Sequence, residues 1–252
     1  MVILLHGFPQ FADVWSPILS SLAKECYRAV AVDQRGYSKL AKPSEVSDYS
    51  IDNLVQDILN IADQLKAQRF HLVGHDWGGM VAWHLAGKSP GRLISLTSLS
   101  TPHPGALHKA RMEDFDQQKK SLYILLFRLP FHLAERMLKA NHWRLFRKIY
   151  QGKVDIQTLE KNILRMNQGK GLTTALNWYR AYDGRAEKSI VPTLFVWGSK
   201  DVALGKFAAE KTSDYVIGPY QFQILDGLSH WLMDEAPELI SSLLLKHLKR
   251  QS

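Results

Sequence analysis

Gly74-His75-Asp76-Trp77-Gly78-Gly79 is the stretch that decides the fold. It follows Phe70-His71-Leu72-Val73, an apolar run that reads as a buried strand. It precedes Met80-Val81-Ala82-Trp83-His84-Leu85-Ala86, which reads as a helix. A small-x-nucleophile-x-small turn between strand and helix is a nucleophile elbow, which presents one side chain at the tip of a sharp turn. Positions 74 and 78 must be small because such a turn brings backbone segments together, where a Cβ would clash. The tip carries Asp76 rather than serine. A carboxylate attacks carbon directly and has no proton to lose first. That points away from esters and peptides and toward alkylating substrates such as epoxides or alkyl halides.

Outward from the elbow, short apolar runs alternate with helical patterns. The expected strands are residues 2–5, 28–33, 70–74, 93–99, 193–197 and 222–225, and the expected helices include 14–24, 51–67, 77–87, 205–215 and 237–249. In 51–67 the residues Ile51, Leu54, Val55, Ile58, Leu59, Ala62 and Leu65 recur at helical spacing, and Ser50 can cap the start. Alternating β and α predicts a mostly parallel sheet flanked by helices, an α/β fold with functional residues at the carboxyl ends of its strands. The alternation stops at Thr101-Pro102-His103-Pro104-Gly105, a breaker-rich boundary, and resumes at Ile190-Val191-Pro192-Thr193. Residues 1–104 and 189–252 therefore read as the core, and 105–188 as an inserted helical cap.

The 252 residues fit one such domain with an insertion, and 46% hydrophobic with 22% charged residues is ordinary for a globular chain. No apolar run approaches the ~20 residues of a membrane span, and the start lacks the features of a signal peptide. Cys26 is the one cysteine, so no internal disulfide is expected and a reducing cytoplasm is the default location. Net charge is +8, but residues 106–190 hold 17 Lys+Arg against 8 Asp+Glu. A basic segment can attract nucleic acid; no nucleic-acid motif or phosphate loop accompanies this one, so it reads as a solvated helical face.

The elbow needs partners in the order nucleophile, acid, histidine. Asp201 follows the strand at 193–197, and His230 follows the strand at 222–225, so both fall in loops at strand ends. Asp76 would form an alkyl-enzyme ester, His230 would activate the water that hydrolyses it, and Asp201 would orient the imidazole. Asp226 and Asp234 are competing acids near His230, but neither sits in a comparable post-strand loop. The remaining histidines form no metal-ligand spacing, and no metal is expected. An oxyanion hole would draw on the backbone N–H groups of Phe8 and Trp77, since Pro9 has none.

Together these residues resemble the epoxide hydrolases of the α/β-hydrolase fold. The resemblance rests on His6-Gly7-Phe8-Pro9, Asp33-Gln34-Arg35-Gly36-Tyr37-Ser38, the Gly74–Gly79 elbow, Ser100-Thr101-Pro102-His103-Pro104, Asn177-Trp178-Tyr179-Arg180, Trp197-Gly198-Ser199-Lys200-Asp201 and Gly227-Leu228-Ser229-His230-Trp231. It implies hydrolysis of an epoxide to a vicinal diol without a cofactor, and a pair of cap tyrosines that hold and protonate the epoxide oxygen. Those tyrosines are identified as Tyr123 and Tyr179, with Tyr150, Tyr182 and Tyr220 as substitutes. Cap residues such as Phe127, Phe131, Leu133 and Trp178 suggest an apolar substrate cavity, with Phe127 and Trp178 the expected contacts to a small apolar epoxide. Haloalkane or haloacid dehalogenases share the turn motifs and remain an alternative, although the haloacetate enzymes place an arginine where Trp77 stands. A non-catalytic ligand-binding protein is a further alternative. The resemblance also implies two strands ahead of residues 2–5, and those N-terminal strands are missing from the pattern. The strand at 28–33 is then expected to have an unpaired side, which favours association with another chain, as in a homodimer.

Overall fold

The computed structural model describes residues 1–251. Among them, six strands form one sheet in the order β2-β1-β3-β4-β5-β6. The strands are β1 (Val2–Leu5), β2 (Ala29–Val32), β3 (Phe70–His75), β4 (Leu93–Leu99), β5 (Thr193–Gly198) and β6 (Tyr220–Leu225). Every neighbouring pair is parallel. Alternation of side chains across the sheet shows in β1, where Ile3 and Leu5 enter one apolar core and Val2 and Leu4 the other. β1, β3, β4 and β5, buried on both faces, read as near-continuous apolar runs. β2 stands at the edge, paired with β1, and its residues are half-buried.

Helices cover both faces. α1 (Ser16–Lys24) packs with the C-terminal helices on one side, and α2 (Ile51–Gln64) and α3 (Trp77–Lys88) lie on the other. α1 starts later than the apolar pattern suggests. Pro17 occupies its first turn, and Ala12–Trp15 ahead of it forms a separate 3₁₀ turn. α2 has the expected buried stripe of Ile51, Leu54, Val55, Ile58 and Ala62, and the Ser50 side chain accepts from Asn53 N–H. It ends at Gln64, three residues before the expected limit. Lys66 takes a left-handed φ of 58°, and the Ala67 and Lys66 N–H groups return to the carbonyls of Ala62 and Asp63 in a Schellman closure.

Between β4 and β5 run α4 (Pro104–Glu113), α5 (Phe115–Lys120), α6 (Tyr123–Phe127), α7 (Leu133–Ile149, interrupted at Ala140–Trp143), α8 (Ile156–Asn167) and α9 (Gly171–Ala181). After β5 come α10 (Lys206–Lys211), α11 (Leu232–Glu235) and α12 (Pro237–Lys249). The single helix expected over 205–215 is divided, because Thr212 turns into a 3₁₀ segment; its hydroxyl bonds back to the Ala208 carbonyl and accepts from His103 N–H. α4 packs against α10 and the loop before it through Leu107, Ala110, Leu204 and Ala208, so the insertion begins against the core.

Charged and polar ties fasten the inserted helices to the core. Arg165 on α8 pairs with Asp33 and Asp13, and the Thr174 hydroxyl on α9 donates to the Gly36 carbonyl at 2.6 Å. Within the insertion, Arg180 and Glu135 pair at 2.9 Å with side chains 14% and 7% exposed. No helix among the described residues is long and apolar enough to cross a membrane.

Candidate active site

Four loops at the carboxyl ends of parallel strands converge on Asp76. The turn that carries it is tight. A Cβ on Gly74 would lie 2.2 Å from the Gly78 carbonyl oxygen, and a Cβ on Gly78 would lie 2.2 Å from that of Leu5. Both glycines are thus fixed by close approach of backbone. Asp76 itself has φ 50° and ψ −118°, a conformation that costs a non-glycine residue about 1–3 kcal/mol. It is held there by α3, whose Met80 N–H bonds to the Asp76 carbonyl, and by the Thr101 hydroxyl, which donates to the same oxygen at 2.8 Å.

The carboxylate has two unlike oxygens. Oδ1 accepts the Phe8 N–H at 2.7 Å, and the Trp77 N–H also bonds to the carboxylate. These are the two donors expected of the oxyanion hole. Oδ2 lies 3.5 Å from His230 Nε2. Burial pushes the Asp76 pKa up, but the His230 and His75 rings and the Trp77 N–H outweigh it, and the group is held below the usual carboxylate range.

His230 Nδ1 donates to Asp201 Oδ2 at 2.8 Å. The other Asp201 oxygen accepts the N–H groups of Ala203 and Leu204 at 2.8 and 2.9 Å, which fixes the carboxylate in its loop. The two other acids are committed elsewhere: Asp226 accepts from the Ser199 hydroxyl, and Asp234 from the Gln10 amide. Burial disfavours the His230 cation, yet Asp201 and Asp76 overcome it and raise its pKa to about 10. His75 beside it goes the other way. Burial lowers its pKa to about 4, so the neutral ring donates through Nε2 to the His230 carbonyl at 2.9 Å. The Ser100 hydroxyl donates to that carbonyl as well, at 2.9 Å.

Tyr123 and Tyr179 close the site from the cap. Two cavities of about 300 and 320 Å³ meet there, and Asp76, Tyr123 and Tyr179 border both. Burial, and then neighbouring negative charge that includes Asp76, raises both phenol pKa values, so both hydroxyls keep their protons to donate. The Tyr179 ring packs edge-on to Trp77 at 4.9 Å and to Phe8 at 5.5 Å. The alternative tyrosines have other partners: the Tyr150 hydroxyl bonds to the Pro9 carbonyl, Tyr182 borders the second cavity but its hydroxyl bonds to His84, and Tyr220 packs on the edge strand β6.

The first cavity is walled by Phe8, Leu126, Phe127, Leu138, Ile149 and Trp231. Phe127 is thus part of its wall. Trp178, the other expected contact, is not: it borders neither cavity, its indole N–H donates to the Arg35 carbonyl, and its ring supports Trp77 and Tyr37 from behind. One position before Tyr179 on α9, it is turned about 100° round the helix from it. Phe131 is 85% exposed and Leu133 also faces outward. Sequence reading gave no role to His75, Ser100 or Thr101. The Ser100–Pro104 motif was the one signal for the last two; the residues they touch lie 25 and 130 positions away. Among the described residues no cluster of His, Cys, Asp or Glu could hold a metal ion.

A family model for the alpha/beta hydrolase fold matches residues 1–237. The AB hydrolase superfamily protein YfhM of Bacillus subtilis is 35% identical over 100% of this chain and 91% of its own length. Epoxide hydrolase 3 of Xenopus tropicalis is 31% identical over 99% of this chain and 71% of its own. The chain belongs to the epoxide hydrolases of the α/β-hydrolase fold. Epoxide hydrolase A from Mycobacterium thermoresistibile, a solved structure, superposes on this epoxide-hydrolase chain with TM-score 0.84 at 26% identity, covering 98% of this chain and 90% of the other. The Bacillus megaterium epoxide hydrolase bound to an inhibitor shares its fold, with TM-score 0.88 at 23% identity over 98% and 93% of the two chains.

Proposed function

We propose that this chain converts a small, largely apolar epoxide and water to a vicinal diol through an alkyl-enzyme ester on Asp76. One observation carries the reading: a carboxylate at the elbow lies between a His–Asp pair on the core side and two protonated phenols on the cap side. Oδ1 is occupied by the Phe8 N–H, which leaves Oδ2 to attack a ring carbon. The ring oxygen, becoming an alkoxide, takes a proton from Tyr123 or Tyr179. That oxygen stays attached to the product, so two phenols fixed opposite the nucleophile suit ring opening better than release of a halide.

Ester formation removes the Asp76 charge, one of the influences that raise the His230 pKa. The imidazolium then gives up its proton more readily, and that proton restores the phenol. The neutral ring, still oriented by Asp201, takes a proton from water as the water attacks the Asp76 carbonyl carbon. The developing charge falls on Oδ1, where the N–H groups of Phe8 and Trp77 receive it. Collapse of that intermediate breaks the bond between the carboxyl carbon and Oδ2; the departing diol oxygen takes the proton of the newly added hydroxyl, which leaves Asp76 ionised and His230 protonated as at the start. The base is thus switched on by the covalent step itself.

A single turnover in ¹⁸O-labelled water with enzyme in excess tests this. The first diol formed should carry unlabelled oxygen from Asp76, with label entering the carboxylate. Label in that first diol would mean direct attack by water and would overturn the ester route.

A further inference from the structure

The two cavities that meet at Asp76 differ in chemistry. The first is mainly apolar, with Lys148 and Gln151 at its border besides Asp76 and His230, whereas the second is bordered by Arg111, Arg128 and Arg185 with one carboxylate, Asp183, besides Asp76. Arg128 is used structurally, donating to the carbonyls of Tyr179 and Tyr182 at 2.7 Å each. Arg111 on α4 is not. Its Nε makes one long bond, 3.3 Å, to the Ser121 hydroxyl, and among the described residues no carboxylate pairs with it. Burial lowers its pKa, and the titratable groups facing it are the neutral phenols of Tyr123 and Tyr182 and the Arg128 guanidinium. An arginine nonetheless stays protonated.

Arg180 shows how this cap normally treats a buried guanidinium, with Glu135 bonded to both of its terminal nitrogens. A partly desolvated cation without a counter-charge is costly, and a ligand that supplies the charge recovers that cost. Asp76, Tyr123 and Arg111 all border this second cavity.

We propose that Arg111 is an anion subsite of the substrate cavity, so that the preferred substrate is a short epoxy acid. Its apolar substituent fills the first cavity, its ring lies under Tyr123 and Tyr179, and its carboxylate, a few bonds from the ring, meets Arg111 in the second. This rests on the epoxide reading above and adds the class of epoxide. The planar guanidinium suits a carboxylate, which can take two parallel hydrogen bonds from its free N–H groups.

The probes are 4-carboxy-trans-stilbene oxide and its methyl ester, which share a skeleton and differ in charge. In the unaltered enzyme kcat/KM for the acid should exceed that for the ester by roughly 10- to 100-fold, the range of one charge-assisted hydrogen bond, with the difference in KM. In Arg111→Gln the acid-to-ester ratio should fall toward one. Arg111→Lys should restore part of it, and Ser121→Ala, which removes the structural bond and keeps the guanidinium, should retain it. A ratio near one in the unaltered enzyme, or a ratio untouched by Arg111→Gln, overturns the subsite. Calorimetry with unreactive trans-stilbene-4-carboxylate and its amide separates the two claims. If neither epoxide is hydrolysed but the carboxylate binds more tightly than the amide through Arg111, the reaction fails and the subsite stands. Equal binding of acid and amide removes the subsite alone.

Discussion

Replacing His230 by glutamine should separate the two chemical steps. Glutamine cannot accept a proton from water, and it loses the bond to Asp201 that now holds the ring at 2.8 Å. General-base catalysis contributes roughly 10²–10⁴-fold, or about 3–5 kcal/mol of barrier to ester hydrolysis. Alkylation should persist, because Asp76 keeps the Phe8 and Trp77 donors and needs no base. The carboxylate would lose the His230 influence that holds its pKa down. Its attack should therefore weaken in mildly acidic solution and recover as pH rises through the new value. Intact-protein mass spectrometry after rapid quenching should show the enzyme carrying the mass of one epoxide, accumulating faster than diol forms. Steady-state turnover within tenfold of the unaltered enzyme, or normal alkylation with no retained adduct, would refute the assignment of His230 as the base.

Three further outcomes follow from the geometry. In Gly78→Ala the new methyl group meets the Leu5 carbonyl carbon and oxygen at 2.6 and 2.2 Å. Since both are backbone, we expect at least ~1–3 kcal/mol of destabilisation in urea unfolding and a ~100-fold loss of activity from displacement of the Phe8 N–H; an unchanged midpoint would contradict the packing argument. Tyr123→Phe and Tyr179→Phe should each slow single-turnover ring opening, with the double variant nearly inactive; full activity in the double variant removes the phenols from the mechanism. His230 is raised from 6.5 to about 10 in the folded protein, so its contribution to stability is fully present below pH 6.5 and is lost as pH climbs toward 10. Urea midpoints taken across that window should decline more gently in Asp201→Asn, and equal slopes would show that the pair is not what raises the pKa.

Much of the core was legible because its signals are local. The four residues of β1 are apolar and fully buried on alternate faces, and the stripe of α2 repeats at helical spacing. Element ends were less legible, since Lys66 and Thr212 stop helices through backbone geometry and a distant partner that periodicity does not encode. In the site, Asp76 was readable from the small residues that flank it, and Asp201 and His230 from their position after strands. Trp178 was misplaced for the opposite reason: an aromatic beside Tyr179 suits a cavity wall or a support equally well, and only its bond to the Arg35 carbonyl decides.

The sequence by itself determined that a carboxylate stands at a strand-to-helix turn, because a turn that tight demands glycine at fixed spacing on either side of its tip. Only the tertiary structure decided which groups surround that carboxylate. The Phe8 N–H, His230 and the two phenols come from 47 to 154 positions away, and their distances depend on how a parallel sheet gathers strand ends and how the cap is tied across them. The unpaired charge of Arg111 belongs to the same class of fact, since a basic residue on a helix face reads as solvated until the packing around it shows otherwise.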